Sequence, residues 1–202
     1  MGEKPGREDF EELYRLFRKA ESAMKEVEEI EYELSVPPLN QLRYAGQHVL
    51  KFLGGEKPQD EEELRRARRH IQRAIYDSYE AGILGILEYT HKFQRIFGAL
   101  PELREQIPEY DEFMEQADAA HDLIDQARET YESRETFYEE TQPHFEVLQR
   151  LYRRLDRIKP VLGEILHQKK IRFRHYVIGV IGAIIGAILS YGITLLAAWM
   201  SS

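Results

Sequence analysis

The chain has no cysteine in its 202 residues. That single absence excludes disulfides, zinc–thiolate centres and thiol nucleophiles, and it is compatible with a reducing compartment. Glycine-rich phosphate loops and the Gly-x-Ser-x-Gly elbow of serine hydrolases are also missing. No stretch alternates apolar and polar residues as a half-buried strand would, and no repeat or low-complexity linker interrupts the pattern. An excess of positive charge is lacking too. Acidic residues outnumber basic ones 36 to 28, for a net charge of −8, which argues against the broad basic face that non-specific nucleic-acid binding requires. The first residues, "MGEKPGREDFEEL", are polar, so neither an N-terminal signal sequence nor a myristoylation signal is expected there.

What the chain does have is one long apolar run, placed at the far end. From Tyr176 to Met200 no residue is charged, and about 20 apolar residues suffice to cross a bilayer core as a helix. Ile, Val and Leu fall on every side of this segment, without the polar face that a surface helix keeps. It is preceded by "HQKKIRFRHY", in which Lys169, Lys170, Arg172 and Arg174 carry positive charge with no acid among them. A basic flank marks the cytoplasmic side of a span and is drawn to anionic lipid, while Tyr176 and Trp199 suit the two aromatic belts. The sequence therefore predicts a single-pass membrane protein with a cytoplasmic N-terminus, in a setting such as a prokaryotic inner membrane. Without the four flanking cations, residues 1–168 carry −12 by subtraction.

The segment before the span reads as helices. Phe10, Leu13, Tyr14, Phe17, Ala20, Met24, Val27, Ile30 and Leu34 recur at steps of three and four until "SVPPL" stops them. A second helix starts near Pro38 and ends at Gly54-Gly55. A third opens with Asp60 as N-cap and acids in its first turn, and carries Leu64, Ala67, Ile71, Ala74 and Ile75 toward Gly82 and Gly85. Glycines inside a helix of this kind imply close approach by neighbours, so this helix is expected at the centre. A fourth helix is predicted over Tyr110–Phe137. "TQPH" is expected to break or kink the chain, and Phe145 to Ile165 to form a fifth helix, with Pro160 as a second kink. The fold class is accordingly all-α: a cytosolic bundle of four or five helices over 1–168, a basic juxtamembrane segment over 169–175, and one transmembrane helix over 176–200.

Three constellations could carry function. The first is "RYAGQH", Arg43 to His48, and a second Arg-to-His spacing of the same kind runs from Arg65 to His70. The first resembles the Arg, four residues, His motif of HEPN-domain ribonucleases, and a membrane-anchored helical layout is similar to that of prokaryotic antiviral defence proteins. The resemblance implies that Arg43 stabilises transition-state charge and His48 exchanges a proton with the ribose hydroxyl or the leaving oxygen, with RNA as substrate. Tyr44 stands where that family often has a polar residue, and the motif falls in the second helix rather than late in the domain. On the residues alone, Tyr44, Ala45 and His48 would instead pack into the bundle.

The second constellation is a set of carboxylate–histidine pairs, Glu88 with His91, Asp118 with His121 and Glu164 with His167, spaced to chelate on one helix face. A di-iron centre also needs two inward Glu at the same level, so no metal site and no cofactor is expected. The dense basic run "RRARRHIQR" follows "DEEE" and reads as a salt-bridged surface.

The third lies in the span. Gly182, Gly186 and Ser190 form one small-residue row, and Gly179, Ala183 and Ala187 a second beside it; such rows let helix backbones approach in lipid. The expectation is a homo-oligomer assembled through the span, working as a non-enzymatic effector or scaffold that receives a protein or signalling partner, with the span serving either as a pore or as an anchor alone. A membrane-tethered ribonuclease is the alternative.

Overall fold

The computed structural model describes residues 7–31, 35–55, 60–130 and 134–200, with residues 7, 31, 134 and 191–200 described for their backbone alone. The described residues are almost wholly helical, with no strand among them. In chain order they form α1 (Arg7–Glu31), α2 (Val36–Gly54), α3 (Glu61–Phe97), the short α4 (Pro101–Gln106), α5 (Tyr110–Glu129), a 3-10 turn (Arg134–Phe137) and α6 (Tyr138–Met200).

α3 is the centre, packed by α1, α2, α5 and α6. Its start follows from local chemistry, since the Asp60 side chain accepts a hydrogen bond from Glu62 N–H at 3.0 Å and three glutamates fill the positive end of the helix dipole. Along its length Ile71, Ile75, Tyr79, Ile83 and Ile86 are buried. They meet Ala20, Ala23 and Val27 of α1, Ile124 of α5, and Phe145, Leu148, Leu151 and Leu155 of α6 in one core. Gly82 lies at the tightest point of that core. A Cβ built there would stand 2.6 Å from a ring carbon of Phe145 and 2.7 Å from a methyl of Val27, so α1, α3 and α6 converge where a side chain is absent.

Three boundaries differ from the sequence expectation. The helix predicted over Tyr110–Phe137 ends at Glu129, where Thr130 N–H caps Gln126 and the Thr130 hydroxyl bonds the Gln126 and Ala127 carbonyls. Phe137 lies in the 3-10 turn, and Tyr131, like Leu34, falls outside the described residues. "TQPH" does not break the chain. Pro143 sits in the second turn of α6, close enough to the start that few backbone donors are lost, and Thr141 bonds back to the Phe137 and Tyr138 carbonyls. Helix α6 also passes through Pro160 without interruption and reaches Met200, 63 residues or about 95 Å in all.

The bundle ends at about Leu166. Leu162 is fully buried, whereas residues 178–190 are exposed throughout. No helix end separates bundle, basic flank and apolar run. Lys169 ties this exit to α4 through Glu102 at 2.8 Å, and that bond holds the Glu102 carboxyl below the usual carboxylate range. α6 is the one helix among the described residues that is long and apolar enough to cross a membrane, with none of its apolar window buried.

Candidate functional site

The polar cleft between α2 and α3 is built from three elements. α2 contributes His48. α3 contributes Arg66, Arg69, His70 and Arg73, which fall on one face because steps of three and four residues do so in a helix. The 3-10 turn closes the cleft with Glu135, leaving a cavity of about 370 Å³. The rings of His48 and His70 stack with centroids 5.2 Å apart and planes 14° apart, and Tyr44 leans on His70 at 5.5 Å.

Each ring is fixed through the same nitrogen. His48 Nδ1 donates to a Glu63 carboxylate oxygen at 2.6 Å, and His70 Nδ1 donates to Gln41 Oε1 at 2.8 Å. Both bonds place a proton on Nδ1, leaving Nε2 as the nitrogen a ligand would meet. The pKa of His70 lies below its ordinary 6.5, first because partial burial disfavours the charged ring and then because His48, Arg73 and Arg69 set positive charge around it.

The carboxylates at the rim are divided among several cations. Glu62 serves Arg65, Arg66 and Arg69, Glu63 serves His48 and Arg66, and Glu135 stands 3.9 Å from Arg73. The exposed pairs of Glu62 contribute well under about 1 kcal/mol each and exchange partners easily, whereas Glu63–His48 and Glu135–Arg73 are mostly buried. The "DEEE…RRARRH" run is thus a salt-bridged surface on its outer side and a cleft wall on its inner side.

The structure does not bring Arg43 into this cleft. Its guanidinium sits 5.0 Å over the exposed Tyr44 ring, while His48, five residues on, faces α3. His48 is instead joined by His70, the histidine of the second Arg-to-His spacing. The carboxylate–histidine pairs lie on α3, α5 and α6 with both members exposed. Glu88 is engaged by Lys92 at 2.6 Å and His121 by Asp125 at 3.3 Å, and among the described residues no three potential ligands converge.

Behind the cleft, on the other side of α2, Phe10, Leu13, Tyr14 and Phe17 of α1 face Val49 and Leu50 across an apolar groove of about 420 Å³. The N-terminal half of the α1 face predicted as core is therefore only partly covered, with Tyr14 65% exposed. In the apolar run, a Cβ on Gly179, Gly182 or Gly186 would meet nothing within 4 Å, and Lys170, Arg172 and Arg174 are exposed beside it. No known protein family, curated protein or solved structure matches this chain.

Proposed function

We propose that the chain is a single-span membrane protein whose helical bundle faces the cytosol and acts as a non-enzymatic effector or scaffold, with copies assembling through the span. One observation carries the reading: a single unbroken helix leads from the bundle core into an apolar run that nothing in the fold covers. Ile178, Val180, Ile181, Ile184, Ile185, Ile188 and Leu189 are each about half exposed or more. Covering all seven is worth about 6–12 kcal/mol, from roughly 1.5–3 kcal/mol per fully buried side chain scaled to that exposure. A bilayer supplies the cover, and the basic flank favours the orientation with the bundle in the cytosol. The glycine rows then supply a face for a second copy, because small residues permit close backbone packing where no hydrophobic effect acts.

Size in detergent tests the assembly. The open space around Gly182 and Gly186 means that leucine there disturbs no contact within one chain. Gly182→Leu with Gly186→Leu should therefore leave the protein membrane-bound and folded but reduce it to a smaller species, whereas Ile184→Leu should not change its size. An oligomer that persists in the double variant would assign assembly to the bundle.

The tethered ribonuclease remains as a second reading because two imidazoles lie side by side among arginines. It expects metal-independent RNA cleavage that His48→Ala abolishes. The effector reading expects no cleavage by the unaltered protein.

A further inference from the structure

We propose that the cleft between α2 and α3, walled by His48, His70, Arg66, Arg69 and Arg73, binds the phosphate group of a small phosphorylated ligand. This goes beyond the membrane reading and does not depend on it, since the cleft lies in the bundle far along α3 from the span.

The residue types are those that phosphate requires. Guanidinium groups present paired N–H donors that match phosphate oxygens two at a time, and an imidazole adds a further donor once Nε2 is protonated. Three guanidiniums and two imidazoles line one cavity with a single carboxylate, Glu135, among them. The cavity of about 370 Å³ falls in the range of small-ligand pockets, about 300–1,000 Å³. Two features make it a built site rather than a charged surface. Both rings are locked at Nδ1 by Glu63 and Gln41 before any ligand arrives. Partial burial first, and then the positive charge of His48, Arg73 and Arg69, oppose protonation of His70, and an anion would relieve the second of these. Glu62, on the outer side of the arginines, has three cations to satisfy and can yield one to a ligand.

A bound phosphate would compensate that positive charge and raise the His70 pKa, so pH should change affinity through this ring. The groups facing the pair that set this dependence are Tyr44 on α2, Glu63, Arg66, Arg69 and Arg73 on α3, and Glu135 on the 3-10 turn.

The test is titration of the full chain in detergent with inorganic phosphate, following histidine ring resonances by NMR, with sodium chloride at matched ionic strength as reference. Phosphate should shift His48 and His70 saturably while chloride does not. Arg69→Gln combined with Arg73→Gln should weaken binding roughly tenfold or more. Arg65→Gln, on the same helix but outside the cleft, should leave it within about twofold. Glu135→Gln removes the one carboxylate in the wall and should tighten binding, a gain that a folding defect cannot imitate. A nucleoside monophosphate should compete with phosphate. Equal shifts with chloride, or unchanged affinity in both the double variant and Glu135→Gln, would overturn the proposal. So would an oligoribonucleotide without a terminal phosphate that displaces phosphate at lower concentration than the monophosphate, since the cleft would then be a nucleic-acid site.

Discussion

Gly82→Ala adds one methyl group at the point where three helices meet. Its Cβ would lie 2.6 Å and 3.0 Å from two ring carbons of Phe145 and 2.7 Å from Val27, well inside the normal carbon–carbon separation of about 3.5–4.0 Å. Neither neighbour can yield cheaply. Phe145 is fully buried and packs on the Tyr79 ring at 5.1 Å, and Val27 is 1% exposed. Overpacking of this kind costs about 1–3 kcal/mol. Alanine's better helix propensity returns about 0.5–1 kcal/mol, so the net change is destabilising by up to about 2.5 kcal/mol, or up to roughly 5–10 °C in Tm for a chain of this size. Gly46→Ala on α2 supplies the contrast, because nothing lies within 4 Å of the added carbon and the propensity gain stands alone as about 0.5–1 kcal/mol of stabilisation. Denaturant unfolding in detergent, read by near-UV circular dichroism of the buried tyrosines, measures both. Stabilisation by Gly82→Ala, or equal effects of the two substitutions, would refute the convergence of α1, α3 and α6 at Gly82.

Two further outcomes follow from the site and its helix. Asp60→Ala removes the side-chain acceptor of Glu62 N–H and should cost about 1 kcal/mol in the same unfolding assay, with Asp60→Asn recovering most of it. His70 has a folded-state pKa below the ordinary 6.5, so the unfolded chain takes up its proton first. Its contribution to stability is present above pH 6.5 and lost as pH falls through the window beneath. In a phosphate-free buffer, the drop in denaturation midpoint between pH 7.5 and 5.5 should be smaller for His70→Gln than for the unaltered chain, and identical drops would contradict this assignment.

Helix identity was legible in the sequence wherever apolar spacing ran long. The stop at Gly54-Gly55, the Asp60 cap and the central role of the helix around Gly82 are all local signals that the tertiary structure keeps. The ends of α5 and α6 were harder to read. The prolines at 143 and 160 look like breaks when considered alone, yet an early helical position and continued packing of Leu148, Leu151 and Leu155 against α3 override them. The cleft was half visible. His48 and the 66, 69, 70, 73 spacing are visible in the sequence, but nothing local says that α2 would lie against that face of α3, so "RRARRHIQR" reads there as a salt-bridged surface alone. Arg43 has the motif spacing to His48, but spacing along one helix does not decide which way either side chain turns.

The absence of native cysteine allows the membrane placement to be measured directly with single introduced cysteines and a maleimide that cannot cross membranes. Three positions suffice: Gln47→Cys on the exposed side of α2, Ile184→Cys within the apolar run and Ser202→Cys beyond it. In sealed membranes the account predicts that the residue-47 and residue-202 cysteines label from opposite sides, and that the residue-184 cysteine labels from neither side until detergent is added. Labelling of residues 47 and 202 from the same side, or ready labelling of residue 184 in intact membranes, would contradict the span.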